Sequence, residues 1–293
     1  MTTRPHLTDR PRRSALFMPA SNARAIEKAR TIPADTIILD LEDAVAPEAK
    51  DAARDAAVAA INAGGFGDRE LVIRVNGLDT PWGAADLAAV AGSAADAVLV
   101  PKVAAPQDID AVDALLVGAA PGLALWAMVE TCGAFLRLDA IAARVTDTRL
   151  AAFVVGTNDL AREMRAYPAA DRATLLPMLT TAVMAARAHG LAVLDGVCNE
   201  FRDLAVFAAE AAQGAALGFD GKSLIHPDQV APANTAYAPS PAEIAEAQAL
   251  VAAFAAPENA GKGAIRHAGR MVELLHRDEA LRLLAFAARV GLD

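Results

Sequence analysis

Large aromatic rings are scarce in this chain, 4% of 293 residues with two Trp and two Tyr. A core so poor in rings and so rich in alanine is built from helices packed closely against a sheet. Cysteine is equally rare. Cys132 and Cys198 form no Cys-Xaa-Xaa-Cys motif and have no histidine nearby at metal spacing, so they read as buried thiols of a reducing compartment. None of the five histidines, His6, His189, His226, His267 and His276, pairs with another at ligand spacing, and His226 before Pro227 reads as a turn residue. No apolar run approaches the ~20 residues of a membrane span. The N-terminal stretch MTTRPHLTDRPRR is basic and broken by proline, with no apolar segment after it. It therefore reads as a flexible arm over residues 1–12, and the protein as cytoplasmic. Positive charge is in deficit: 27 Lys and Arg against 36 Asp and Glu give a net charge of -9. That argues against general nucleic-acid binding but leaves room for a local basic pocket for an anion. No Gly-Xaa-Gly-Xaa-Xaa-Gly follows a predicted strand, and there is no solenoid repeat.

What is present is organised around TIILDLEDAV, residues 36–45. Ile37, Ile38, Leu39 and Leu41 are too few for a buried helix and read as a strand covered on both faces. The strand delivers Asp40, Glu42 and Asp43 at its end. Carboxylates so crowded repel one another, so a cation or strong hydrogen-bond donors should face them. Asp43 also stands where it could cap a helix starting near Pro47 and Glu48.

The same pattern recurs. Short apolar runs at 15–19, 71–76, 97–102, 123–130, 151–156, 191–194 and, more weakly, 215–219 each finish near polar residues and precede a helical segment. Predicted helices cover 23–30, 48–61, a stretch after Pro81, 106–117, 135–145, 171–189 and 201–212. Regular alternation implies parallel strands with right-handed crossovers, and eight such units close a (β/α)8 TIM barrel. A doubly wound open sheet is the rival. The barrel spans 13–237, and a C-terminal helical extension or lid spans 238–293. In it, Ser240, Pro241 and Glu243 form a capping box for a helix to about 256, and 271–290 reads as mostly helical.

Strand ends then supply Asp40, Glu42, Asp43, Arg74, Asn76, Lys102, Glu130, Asp159, Asp195 and Lys222, on the face where such barrels place their active sites. Carboxylates outnumber cations there, and a divalent metal would balance them. Oxygen-only donors favour Mg²⁺ or Mn²⁺ over zinc.

Segments RSALFMPASNARAIEKA, ILDLEDAV, VIRVNG, VLVPKV, AMVET, VVGTNDLA and GFDGKSLIHPDQV, in this order, resemble the CoA-ester lyases of the citrate lyase β-subunit and malyl-CoA lyase family, within the HpcH/HpaI aldolases. The resemblance implies a Mg²⁺-dependent carbon–carbon lyase. Its substrate would be a 3-hydroxyacyl-CoA thioester such as malyl-CoA or citramalyl-CoA, split into an acyl-CoA and an α-keto acid. It further implies Glu130 and Asp159 as metal ligands, with Asp40, Glu42 and Asp43 behind them orienting metal-bound water. Arg74 would hold a substrate oxygen. Lys102 would neutralise the acidic cluster, touch the thioester, or pair with Asp40. Arg13, Arg24 and Lys28 would meet the CoA phosphates, unless the last two are a solvated helix face, and Met18 and Pro19 would line the pantetheine path. The family also places an Asp after a Gly-Xaa-Met-Val element as an acid/base reaching a neighbouring subunit. Here that residue is Glu273, one methylene longer. A homotrimer, or a hexamer of two trimers, follows from the same resemblance. Other readings are a pyruvate aldolase working without CoA, a citryl-carrier-protein lyase subunit, and a non-catalytic ligand-binding barrel.

Overall fold

Each short apolar run becomes a strand, and the strands pair in chain order until the last meets the first. The computed structural model describes residues 10–167, 169 and 171–292. The strands are β1 (Ser14–Pro19), β2 (Thr36–Asp40), β3 (Glu70–Arg74), β4 (Ala97–Val100), β5 (Ala124–Val129), β6 (Leu150–Val155), β7 (Ala192–Asp195) and β8 (Gly221–Leu224). All pairings between them are parallel, and β8 closes on β1. Between them lie α1 (Ala23–Ala29), α2 (Lys50–Ala63), α3 (Gly83–Ala91), α4 (Pro106–Leu115), α5 (Cys132–Phe135), α6 (Leu138–Ala142), α7 (Thr157–Met164), α8 (Leu176–His189) and α9 (Leu204–Leu217). A further helix, α10 (Val230–Ala236), follows β8. This is the (β/α)8 barrel that the alternation implies.

Alternation along each strand divides the core. Ala15, Ile38, Val72, Leu99, Trp126, Val154 and Leu194 fill the barrel interior. Their neighbours Leu16, Ile37, Leu39, Ile73, Val98, Phe153 and Val193 pack into the layer shared with the helices.

One expectation is corrected. Residues 215–219 are not the eighth strand. α9 runs on to Leu217 and ends at Gly218 in the left-handed region, φ 95°. The strand is Gly221–Leu224, whose Lys222 and Ser223 hide its signal because they are polar yet fully buried. The expectation that 271–290 is mostly helical holds over Leu274–Arg289, but a ribbon precedes the helix. The chain forms an antiparallel ribbon of β9 (Ala264–His267) and β10 (Arg270–Glu273) before α12 (Leu274–Arg289). Ala268 and Gly269 both take positive φ, 46° and 80°, which suits a two-residue hairpin turn. The chain divides into compact units Met1–Tyr237 and Ala238–Asp293. The second also holds α11 (Pro241–Ala255), where Glu243 N donates to Ser240 Oγ at 3.2 Å and Ser240 N to Glu243 Oε2 at 2.8 Å. Among the described residues no helix is long and apolar enough to cross a membrane.

Residues 1–9 of the expected arm lie outside the described residues, whereas Arg10 and Arg12 are tied down. Arg10 pairs with Asp96 at 3.2 Å. Arg12, 4% exposed, donates Nε and Nη2 to Glu70 at 2.6 and 2.7 Å and lies over the Trp126 ring. Arg12 precedes β1 and Glu70 opens β3, so this pair belongs to the barrel's N-terminal end. Breaking one side of a buried pair strands the other charge. Glu70→Leu should cost about 3–5 kcal/mol in a denaturation experiment, and adding Arg12→Met should recover much of it. An unchanged midpoint for Glu70→Leu would show that the pair does not hold this end of the barrel.

Candidate active site

Parity decides which strand-end residues face inward. Ile38 and Val72 point into the barrel, so Asp40 and Arg74, two residues on, do as well. There they meet: Arg74 Nε and Nη2 donate to the two Asp40 oxygens, each at 2.6 Å. Asp40 also accepts from Glu42 N at 2.9 Å and Ala44 N at 3.3 Å, which folds the acidic turn back over the strand end. The planar fork of Arg74, expected to grip a substrate oxygen, is therefore spent on Asp40. Its Nη1 edge lies 3.0 Å from Glu42 Oε2 and 3.7 Å from the Met128 sulfur, with the guanidinium stacked over Phe17. Burial opposes the charge on Arg74, but hydrogen bonds and attraction from Asp40, then Glu42 and Asp43, raise its pKa above the ordinary arginine value.

Lys102 also serves this cluster rather than Asp40. Its Nζ donates to Glu42 Oε1 at 2.8 Å, and that bond raises its pKa. Burial pushes Glu42 upward in turn, against the pull of Arg74 and Lys102. The backbone of Lys102 takes φ 55°, left-handed for a residue with a side chain, and this turns its N–H onto Glu130 Oε1 at 2.8 Å.

Glu130 is 1% exposed. Its Oε2 side is packed so tightly on Gly156 that a Cβ there would lie 2.3 Å from the oxygen. Burial first, then the charges of Glu42 and Asp159, push its pKa up to about 8, against the Lys102 N–H and Arg74. Asp159, in the first turn of α7, forms an ion pair with Arg162 one turn on. Phe17, Pro19, Asp40, Asp43, Arg74, Met128, Glu130, Asp159, Val197 and Ile225 are among the residues that enclose a cavity of about 390 Å³. Glu130 and Asp159 could hold a divalent ion there. Both donors are oxygens, and Glu130's reluctance to ionise is the penalty that a bound cation removes.

Several expected residues are elsewhere. Arg13 donates Nε, Nη2 and its backbone N to Asp35 at 2.9, 2.8 and 2.9 Å, before the first residue of β1 and so at the end of the barrel away from this cavity. Arg24 and Lys28 are exposed on α1, one turn apart, and do not line the cavity. Pro19 does line it, but Met18 packs into the helix layer, and Phe17 takes the place expected of it. Asp195 and Lys222 do not face the common hollow. Leu194 points inward, so Asp195 points outward, where Arg172 Nη1 and Lys222 Nζ each donate to it at 2.8 Å and Glu210 of α9 accepts from Lys222 at 2.7 Å. Glu273 stands exposed in the second unit at the end of β10, its backbone N donating to His276 Nδ1 at 3.0 Å.

Sequence reasoning missed Phe17, Met128, Val197 and Ile225, which carry no reactive group, and Gly156, whose role is space. It also missed Lys50, a buried cation beside the acidic turn. The available signal was a lysine in the first turn of a helix, against the dipole.

Glu130 ties stability to pH. Below the ordinary carboxylate value of 4.5 the folded and unfolded chains both hold its proton, while between there and about 8 only the folded chain does. Its contribution is thus complete at low pH and lost as pH rises toward 8. The thermal midpoint of the metal-free protein should fall across about pH 5 to 8 more steeply than that of Glu130→Gln. Identical slopes would show that Glu130 ionises as an ordinary carboxylate.

The profile of the HpcH/HpaI aldolase/citrate lyase family matches residues 13–227. The chain is 46% identical over 281 residues to a (3S)-malyl-CoA thioesterase of Cereibacter sphaeroides, covering 96% of each chain. It is 35% identical over 291 residues to an L-malyl-CoA/β-methylmalyl-CoA lyase of the same organism, covering 90% of this chain and 91% of the other. The crystal structure of CitE from Mycobacterium tuberculosis in complex with magnesium, acetoacetate and coenzyme A is 31% identical, with a TM-score of 0.76 over 96% of this chain and 98% of that one. The matched profile spans all eight strands, from Ser14 to Leu224, and on that ground the chain belongs to the HpcH/HpaI aldolase/citrate lyase family.

Proposed function

We propose that this protein is a Mg²⁺-dependent enzyme that hydrolyses a malyl-CoA-type thioester to the free hydroxy acid and CoA. The observation that carries the reading is the convergence of Glu130, Asp159, Arg74 and Asp43 on one cavity of about 390 Å³. The thioesterase relative, similar along almost its whole length, supports the choice of substrate.

Glu130 and Asp159 would hold the ion, which when bound supplies Lewis-acid polarisation of a substrate oxygen. The Nη1 edge of Arg74 would meet a carboxylate oxygen of the acyl group, held in orientation by Asp40 and Phe17. Phe17, Met128, Val197 and Ile225 give that group an apolar wall and exclude water from its carbon chain. Asp43 lines the cavity and has no side-chain hydrogen bond or ion pair among the described residues. It would take the proton from a water attacking the thioester carbonyl, and the thiol of CoA would leave. Every group this step needs lies within the barrel unit. Arg24 and Lys28, exposed on the helix that follows the C-terminal end of β1, are the candidates for the CoA phosphates. The family resemblance adds a homo-oligomer, a trimer or a pair of trimers.

Carbon–carbon cleavage is the second reading, favoured by the malyl-CoA lyase relative. It uses the same metal pair and arginine, with proton transfer at the acyl α-carbon assigned to Glu273. The Glu in place of the expected Asp moves that carboxylate by about one bond length, and a misplacement of ~1 Å can cost ~100-fold in rate. That mismatch weighs toward hydrolysis.

The two reactions leave different products. Hydrolysis adds one water and yields malate and free CoA; cleavage adds none and yields glyoxylate and acetyl-CoA. With (3S)-malyl-CoA and Mg²⁺, thiol titration should show free CoA rising in step with malate, and Asp43→Asn should slow both at least ~100-fold. Stoichiometric glyoxylate and acetyl-CoA would replace this reading with the lyase.

A further inference from the structure

Lys50 opens α2, directly after the acidic turn, and is 6% exposed. A lysine there is disfavoured twice, by burial and by the positive end of the helix dipole. All three of its N–H donors are nevertheless used: Nζ donates to Leu41 O at 2.8 Å, to Glu42 O at 2.7 Å and to Asn76 Oδ1 at 2.7 Å. The network continues outward. Asn76 Nδ2 donates to Leu41 O at 3.0 Å and to Asp86 Oδ2 at 2.7 Å, and Asn76 N donates to the same Asp86 oxygen at 3.0 Å. Asp86, fully buried on α3, accepts from Arg54 of α2 at 3.2 Å, and the Trp82 ring covers the ammonium from one side. Two helices and the end of β3 thus converge on the carbonyls of two consecutive residues of the acidic turn.

The nearby carboxylates of Asp40, Glu42, Asp43 and Asp86 favour the ammonium against the cost of burying it. What the ammonium adds is direction. With the Leu41 and Glu42 carbonyls fixed, the Glu42 side chain leaves the turn toward Arg74 and Lys102, where its carboxylate sits 3.0 and 2.8 Å from their nitrogens. Lys102 in turn presents its backbone N–H to Glu130.

We infer that Lys50 is a positioning residue for the reaction: by clamping the Leu41 and Glu42 carbonyls it makes Glu42 the strut that holds the Arg74 edge and the Lys102 backbone in place at the cavity. The inference rests on the reading of that cavity as a thioester-processing site. Lys50 itself does not touch substrate. It acts through Glu42.

Lys50→Met, of similar length without the donors, should fold, bind thioester with KM within about threefold of the parent, and lose about 100-fold in kcat. Because both residues act through one strut, a Lys50→Met/Glu42→Gln double variant should be no slower than the slower single variant. Additive losses, or a parental kcat in Lys50→Met, would overturn the proposal. Amide hydrogen exchange over residues 41–45 gives a readout free of any assumed reaction: it should speed up at least about tenfold in Lys50→Met while the other strand ends stay protected. Unchanged protection there would also overturn it. Should the Met variant not fold, Asn76→Ala keeps the ammonium, removes one acceptor, and should show the same local loss of protection. A parent enzyme that releases neither CoA nor keto acid from malyl-CoA would remove the thioester reading and leave the exchange result to judge the clamp on its own.

Discussion

The architecture of this site depends on a carboxylate kept from water at the open end of the barrel, among others of its own sign. Glu130 is enclosed by β5, the tight approach of Gly156 and the turned-in N–H of Lys102, and burial outweighs every favourable contact that it has. A protein holds a group so far from its preferred ionisation only when something else stabilises it, and the neighbouring residues show how. Arg74 is absorbed by Asp40 and Glu42, Lys102 by Glu42, and Lys50 by backbone carbonyls. Each cation near Glu130 thus has its side chain on an acceptor other than Glu130, and the one ion pair of Asp159 among the described residues is with the exposed Arg162, which leaves Glu130 short of a side-chain cation.

The barrel makes this arrangement possible by dividing labour between its two faces. Inward-facing strand ends carry the site. Outward-facing ones carry support: Asp195, Lys222, Arg172 and Glu210 form a buried ion cluster under α9. That cluster has a bearing on the cavity. Lys222 donates to Gly196 O and Gln229 to Cys198 O, so both sides of Val197, one of the apolar cavity residues, are tethered. Across the mouth, Asn158 and Asn199 exchange amide hydrogen bonds of 3.2 and 2.7 Å, joining the first turn of α7 to the loop after β7. The walls of the cavity are thus fixed by polar contacts while the surface offered to an acyl chain stays apolar.

Much of this could be read from residue order alone. Seven strands were legible because each is an uninterrupted apolar run, and the eighth was not, because Lys222 and Ser223 are buried by ion pairing and hydrogen bonding rather than by hydrophobicity. The ribbon at 264–273 lacks any apolar run, and its turn is visible only as Ala268 and Gly269 at positive φ. For the candidate site, strand-end position picks out Asp40, Arg74, Glu130 and Asp159, which line the cavity, whereas it misplaces Asp195 and Lys222 because it ignores the parity of the strand ends. Counting two residues on from Ile38 and Val72 puts Asp40 and Arg74 inside, and one on from Leu194 puts Asp195 outside. The pairing of Arg74 with Asp40 could not be read in this way, since it joins two strands through a contact that no local pattern encodes.

The central claim is that Glu130 and Asp159 form a cation site whose occupation forces Glu130 to ionise. The most direct test is calorimetric titration of the protein with Mg²⁺ at pH 7 in buffers of different ionisation enthalpy, which counts the protons released per ion. The account predicts about one proton per Mg²⁺ for the parent protein and none for Glu130→Gln, because a carboxylate with a pKa of about 8 must give up its proton to bind metal. Mg²⁺ binding with no proton release, or with equal affinity when Glu130 and Asp159 are both replaced by their amides, would contradict it.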